Sequence, residues 1–303
     1  MASRRHPPAP RGLRTPWRAR WAVASVWSLA LLGCSVEPET YSADADTGST
    51  HALIVIERGE SADTALTPRA GAVAGFVRLP PNVEAAAAMN FAGLDLRLPG
   101  VNQCSARDGG EHVHSSLGAD VEFLEAGDIS VNANKIQTVL APRALPAVSD
   151  LLSGVVYTTR DQAADPLPAG VVYSVRATGG PEVPVLEVEL AAPESLAGVT
   201  VGGAPLAEVS TVSAREPTDM TWAVGNPNDL IYVELGRAGV PGAIGCVFKD
   251  DVGAGTIPAQ PALSGGEGRL SLRRIRSREF ASAGIDHGEL RFDFELIRTV
   301  RFQ

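Results

Sequence analysis

Two histidines one residue apart are the side chains of this sequence whose spacing best suits metal chemistry. His112 and His114 lie in the stretch DGGEHVHSS, with Glu111 and Asp108 nearby. Alternate side chains of a strand share one face, so both imidazoles could bind one metal ion such as Zn²⁺. Two histidines are fewer ligands than a zinc site uses, and an exposed polar loop explains the same residues. Both interpretations stay open, and we assign no metal and no other cofactor.

The short motifs of common catalytic sites are absent from the sequence. It contains no G-x-S-x-G, H-E-x-x-H or S-x-x-K motif and no glycine-rich phosphate loop. A Ser-His-Asp site can still assemble from distant residues without a local motif. We therefore expect a binding or structural protein rather than an enzyme, and we keep a hydrolase with an unrecognised site as the alternative.

Acidic side chains outnumber basic ones in this chain, 35 to 26. Six of the basic residues lie in the first 33 residues, so the remainder has 20 basic and 35 acidic groups and a formal net charge of −15. Such a charge repels phosphate backbones. We therefore expect no nucleic-acid partner.

The N-terminal residues have the pattern of a secretory signal. Residues 1–20 carry six arginines and no acid, and residues 21–33 (WAVASVWSLALLG) carry no charge. A basic segment followed by a short apolar one is typical of signal peptides, and thirteen residues are too few to span a bilayer as a helix. We expect residues 1–33 to be removed.

The apolar segment ends in the stretch LLGC, which places a cysteine at position 34. This stretch resembles the lipobox of bacterial lipoproteins. The resemblance implies that Cys34 becomes the acylated first residue of the mature chain, with membrane lipid as its partner. Two or more acyl chains hold a protein stably at a membrane, whereas one holds it only marginally. The expected location is the cell envelope. Ser35, in place of the aspartate associated with inner-membrane retention, favours the outer membrane.

Short apolar runs separated by Gly, Pro, Asn and Asp fill the chain from residue 51 onward. In LRFDFELIRTVRF, Phe292 and Phe294 alternate with Arg291 and Glu295. This alternation predicts a strand with one buried side and one charged, solvent-facing side. Repeated runs of this kind predict an all-β fold, mainly an antiparallel β-sandwich, with at most one or two short helices. The clearest helical pattern covers residues 81–94.

The order of these patterns predicts four segments. After the signal peptide, residues 34–50 form the lipidated cysteine and an acidic, disordered tether. Residues 51–200 and 201–303 are predicted to form an N-terminal and a C-terminal β-sandwich domain. One larger sandwich with strands from both halves is the alternative.

Two cysteines remain once Cys34 is committed to lipid, namely Cys104 and Cys246. Disulfides form and persist in the envelope, so we predict a bridge that joins the two halves of the chain. Two separate buried thiols are the alternative.

Taken together, these features predict an envelope lipoprotein whose β-sandwich modules bind a partner or serve structurally. The partner would be an envelope protein or polymer, which the sequence does not identify. The alternatives are a secreted hydrolase and a metal-handling protein that uses His112 and His114.

Overall fold

The structure is a computed structural model that describes residues 48–63, 69–81, 83–91, 93–94, 97–107, 121–145, 152–159 and 167–303. The described residues form eighteen strands and one α-helix, α1 at Ala85–Phe91. In these ranges no helix is long and apolar enough to cross a membrane. The predicted all-β class is confirmed, and α1 lies inside the predicted helical stretch 81–94.

Nine of the strands end before residue 200, and the other nine begin at or after it. The first nine are β1 Ser49–Ser61, β2 Arg69–Leu79, β3 Gln103–Arg107, β4 Val121–Phe123, β5 Ile129–Ala133, β6 Ile136–Ala144, β7 Leu152–Thr158, β8 Val172–Ala177 and β9 Leu186–Ala191. The others are β10 Thr200–Val201, β11 Ala204–Pro205, β12 Thr211–Val212, β13 Thr218–Thr221, β14 Leu230–Arg237, β15 Val240–Lys249, β16 Ala254–Ile257, β17 Gly266–Ser282 and β18 Ile285–Phe302.

Fourteen strands form one large sheet, and the other four form a small one. The order of the large sheet is β3-β15-β14-β17-β18-β1-β2-β4-β7-β6-β5-β8-β9, with β12 beside β18. The small sheet has the order β11-β10-β13-β16. Most pairings are antiparallel; the parallel ones are β1 with β18, β4 with β7 and β12 with β18.

Two buried apolar clusters lie between β layers. The N-terminal core joins β1, β2 and β18 to β5, β8 and β9, and includes Ile54, Phe76, Tyr173 and Phe292. The C-terminal core joins β14, β15, β17 and β18 to the small sheet, and includes Val201, Trp222, Val233 and Phe302. Each core is enclosed as in a β-sandwich.

Strands from both sides of residue 200 share the large sheet. β1 pairs with β18 from His51 opposite His287 to Ser61 opposite Ile297. The two cores separate near residue 200, but β18 contributes to both of them. The large sheet is therefore built from both halves of the chain.

The two faces of β18 differ less in solvent exposure than its sequence suggests. Phe292 and Phe294 are buried, as predicted. The prediction that the alternating charged residues face solvent is wrong for Arg291 and Asp293, which are each only 6% exposed. The reason is that Arg291 lies opposite Val55 of β1, whose face is covered by a third apolar cluster that includes Met89 of α1. This part of the sheet is therefore buried on both sides.

The first strand begins earlier than the predicted domain. β1 starts at Ser49, so Ser49 and Thr50 pair with Leu79 and Arg78 of β2 instead of belonging to the tether. Residues 52–56 of β1 read ALIVI and are all buried. A continuous apolar run is what a strand covered on both faces requires.

Arginines of β17 hold the segment that connects the two halves, residues 189–195. The guanidinium groups donate hydrogen bonds to main-chain carbonyl oxygens at 2.9–3.3 Å, from Arg278 to Glu189, from Arg276 to Ala191 and Ala192, and from Arg274 to Glu194 and Ser195. We call this set the arginine ladder. It satisfies carbonyl groups of β9, an edge strand among the described strands, and of the segment that follows it.

Two arginines of the ladder also pair with buried carboxylates. Arg276 donates from Nε and Nη2 to the two oxygens of Asp229, both at 2.7 Å. Arg274 contacts both oxygens of Asp250, at 2.9 and 3.0 Å. Asp229 is 1% exposed and Asp250 is fully buried, so each carboxylate depends on its arginine for charge compensation.

Candidate functional site

A cleft of about 490 Å³ opens where α1 faces the starts of β1 and β18 and the end of β17. We call it the histidine cleft. Its polar lining residues are His51, Glu279, Asp286, His287 and Glu289, and its apolar ones include Leu53, Ala85, Met89 and Phe280. Among the described residues that line it there is no lysine or arginine. The cleft thus combines two imidazoles and three carboxyl groups with an apolar wall.

Strand register brings the two histidines together. His51 near the start of β1 lies directly opposite His287 near the start of β18. Directly opposed residues of neighbouring strands point to the same face of a sheet. The rings are stacked, with their centroids 4.8 Å apart and their planes inclined by 26°.

Hydrogen bonds fix the polar groups around this pair. The Ser49 hydroxyl lies 2.8 Å from Nε2 of His51. The backbone N–H of Thr50 donates to the Asp286 carboxylate at 2.8 Å. The hydrogen bond that the structure shows for Asp286 is therefore to the main chain of β1 and not to an imidazole nitrogen. In a Ser-His-Asp triad, by contrast, the carboxylate accepts a hydrogen bond from the imidazole.

The environment of His51 favours the neutral imidazole. Partial burial lowers the pKa of His51 from its ordinary value, and the charge of a protonated His287 lowers it further. The Asp286 carboxylate acts in the opposite direction and is the smaller influence. At neutral pH the ring consequently retains a nitrogen lone pair, which can accept a proton or bind a metal ion.

Glu289 lies deeper in the same cleft. Burial raises the pKa of its carboxyl group above the usual range, and the neighbouring carboxylate of Glu279 adds to this effect. The charge of Arg291 and a hydrogen bond from Ser277 oppose it. Glu279 and Glu289 are cross-strand partners in β17 and β18, so the two carboxyl groups are close neighbours on one face.

A glycine makes room for the aromatic wall of the cleft. Gly288 of β18 pairs with Phe280 of β17. A Cβ atom at position 288 would lie 2.3 Å from the Phe280 ring, so the ring lies directly over the glycine backbone. Any larger residue at position 288 would displace this ring.

The structure also joins the two cysteines of the folded part. Cys104 of β3 lies directly opposite Cys246 of β15, with Cα atoms 4.0 Å apart, and their sulfur atoms are bonded. Cys246 is buried in the C-terminal core, whereas Cys104 is on the exposed edge strand. The bridge holds the outermost strand of the large sheet to its only neighbour among the described strands.

Replacing both cysteines by alanine should lower the free energy of unfolding by about 2–4 kcal/mol, since the bridge closes a long loop. The two residues are 142 positions apart. The measurement is urea denaturation of the wild type and the double variant, each with and without reductant, in a Cys34→Ser background. Reductant should lower the urea midpoint only of the protein that contains both cysteines. Alkylation of both thiols in denatured, unreduced protein would contradict the bridge.

Three of the residues selected from the sequence lie outside the described residues, namely Cys34, His112 and His114. Their roles stay predictions. Within the described ranges, no three His, Cys, Asp or Glu side chains converge so that they could hold a metal ion.

Sequence reasoning missed the pair formed by His51 and His287. The two residues are 236 positions apart, and neither lies in a motif. Only the parallel pairing of the first and last strands brings them together. The available signal was the composition itself, because His51 and His287 are two of only five histidines in the chain.

Comparison with known proteins identifies no family. No family model and no curated protein matches this sequence. Among solved structures, the chain is similar to the FN1-FN3 domains of chicken CNTN1, at 9% identity, a TM-score of 0.20 and coverage of 84% of this chain and 68% of that one. It is also similar to the Fcho1 Mu homology domain of Danio rerio with bound Eps15 peptide. The identity is 10%, the TM-score is 0.25, and the match covers 84% of this chain and 98% of that one. Similarities this weak carry no argument about function.

Proposed function

We propose that this chain is a lipid-anchored envelope protein that binds a small ligand in the histidine cleft. The observation that carries the binding role is the cleft itself. Its volume of about 490 Å³ falls within the range of about 300–1,000 Å³ that is usual for ligand sites. Its lining combines polar side chains with apolar ones, so a ligand can be both oriented and desolvated.

Two features support the envelope as the location. The LLGC stretch after an uncharged apolar segment provides an acylation site at Cys34. The disulfide between Cys104 and Cys246 fits an oxidising compartment. Acyl chains on Cys34 would hold the β-sandwich close to a membrane without any spanning helix.

Replacing Cys34 by serine should abolish lipid attachment, because only the thiol can receive the diacylglyceryl group. We expect the variant to stay unprocessed or to enter the soluble fraction, whereas Ser35→Ala, which retains the thiol, should be processed and membrane-bound. The measurement is fractionation together with mass spectrometry of the mature N-terminus. An unmodified mature N-terminus elsewhere, or a processed Cys34→Ser protein that stays at the membrane, would contradict anchoring.

The binding role can be tested with a variant that fills the cleft and keeps its polar groups. Ala281 is exposed and lines the cleft, so Ala281→Trp should occupy its volume. Mass spectrometry of small molecules that co-purify with the native wild type should identify a ligand that Ala281→Trp does not retain. Identical sets of molecules from both proteins would count against ligand binding in the cleft.

A hydrolase is the second candidate function, and one contact favours it. The Ser49 hydroxyl lies 2.8 Å from His51 Nε2, the arrangement of a nucleophile and its base. The orientation of Asp286 towards Thr50 speaks against a complete triad. Covalent labelling of Ser49 by a phosphonate probe, lost in His51→Gln, would favour this function over simple binding.

A further inference from the structure

Two imidazoles in direct cross-strand register at the mouth of an acidic cleft form an arrangement with specific ligand chemistry. We infer that His51 and His287 bind one divalent transition-metal ion of the class that prefers imidazole, such as Zn²⁺, Cu²⁺ or Ni²⁺. This inference rests on the proposed function, since it takes the histidine cleft as the ligand site and names the kind of ligand.

The spacing of the rings fits a shared ion. With metal–nitrogen bonds of about 2.0–2.1 Å, two imidazoles bound to one tetrahedral ion have centroids about 5 Å apart. The centroids of His51 and His287 are 4.8 Å apart. The rings now lie stacked at 26°, so both imidazoles must rotate about their side-chain bonds, out of this stacked arrangement, to direct one nitrogen of each ring at the same point.

Strand pairing fixes the backbone spacing of this pair. Both residues belong to long strands that pair with each other along eleven successive positions. The distance between the two Cα atoms is thereby fixed before any ion binds, which reduces the entropy lost on coordination. Residue 51 is also held by pairing with Val77 of β2 on its other side.

Neighbouring groups have the chemistry of an outer shell. The Ser49 hydroxyl contacts Nε2 of His51 and orients the ring, so we assign Nδ1 as the nitrogen that binds the ion. The carboxylate of Asp286 and the carboxyl groups of Glu279 and Glu289 line the same cleft and supply negative charge near a cation. Because no third protein ligand converges on the pair in the described residues, water completes the coordination.

Hard cations should be excluded from this site. Ca²⁺ and Mg²⁺ bind six or more oxygen ligands, which two imidazoles cannot provide. Selectivity for Zn²⁺, Cu²⁺ or Ni²⁺ over Ca²⁺ therefore distinguishes binding at the histidines from unspecific attraction of cations to the carboxylates.

The experiment is isothermal titration of the metal-free full chain with Zn²⁺, Ni²⁺ and Ca²⁺. We expect one site for Zn²⁺ or Ni²⁺ and none for Ca²⁺. Loss of a supporting outer-shell residue weakens metal binding by about 10–100-fold. His51→Gln and His287→Gln each remove a direct ligand, so each should weaken Zn²⁺ or Ni²⁺ binding by more than this. Unfolding curves of each variant check that the fold is retained. The matched control is His112→Gln/His114→Gln. It removes the two histidines that are close together in the sequence, and it should leave the affinity for the metal unchanged.

Three results would overturn the inference: no binding of either transition metal, equal binding of Ca²⁺, or loss of binding in the His112→Gln/His114→Gln control with retention in His51→Gln and His287→Gln. These results are distinguishable from failure of the proposed function. Anchoring through Cys34 and the retention of an organic ligand that Ala281→Trp loses are measured independently of any metal.

Discussion

Phe294→Ala should lower the free energy of unfolding by about 3–5 kcal/mol, the usual cost of deleting a buried aromatic side chain. Phe294 is 3% exposed and belongs to the N-terminal core. Its ring meets that of Phe292 edge-on at 5.8 Å, and the Arg58 guanidinium lies 5.7 Å from its centroid. Truncation therefore removes an aromatic contact and a cation–π contact in addition to buried apolar area.

The control for this prediction lies on the same strand. The Arg301 side chain is 64% exposed, and its nearest carboxylate, Glu267, is 3.9 Å away. Arg301→Ala should change the free energy of unfolding by less than about 0.5 kcal/mol. Urea denaturation of both variants is the measurement. If the two variants have the same stability, the buried face of β18 has been assigned wrongly.

Asp250→Ala is the second substitution for which we expect a large loss, again about 3–5 kcal/mol, because it leaves a buried arginine without its carboxylate. Arg274 is 3% exposed and contacts both oxygens of Asp250. Its remaining hydrogen bonds go to the carbonyl oxygens of Glu194, Ser195 and Ala223, which carry no compensating charge. The variant should also loosen the segment that the arginine ladder holds.

The neighbouring aspartate offers a matched control. Asp251 is exposed, so Asp251→Ala should change the stability by less than about 0.5 kcal/mol. Replacing both members of the buried pair, as in Asp250→Leu/Arg274→Met, should restore much of the stability, because apolar residues of similar size avoid the unpaired charge. Chemical denaturation compares the four proteins. An Asp250→Ala protein as stable as Asp251→Ala would show that the ion pair contributes little.

Local patterns in this sequence predicted the fold class well. Alternation in β18 placed Phe292 and Phe294 in a core, and the alanine-rich stretch predicted the region of α1. Both features depend on residues close in sequence, whose period of two or 3.6 reports the local conformation. The burial of Arg291 could not be predicted in this way, since it depends on β1, which is more than 200 residues away in the chain.

The candidate site was the part least accessible from the sequence. The only histidine pair with suggestive spacing was His112 and His114, whereas the structure brings together His51 and His287. Their contact arises from the pairing of the first strand with the last one, and no local period encodes that choice. The cysteines were easier to pair in prediction, because a count of two leaves a single possible bridge.

The parallel pairing of β1 with β18 has a consequence for the order of events during folding. β1 precedes every other described strand, yet one of its two neighbours in the sheet is β18, which follows all of them. Contacts of such long sequence separation require closure of a very large loop and are slow to form. The N-terminal core therefore cannot be completed until β18 has been made. Until β18 has paired, the apolar strand ALIVI lacks its neighbour on that side, and such an unpaired apolar edge makes the intermediate prone to aggregation.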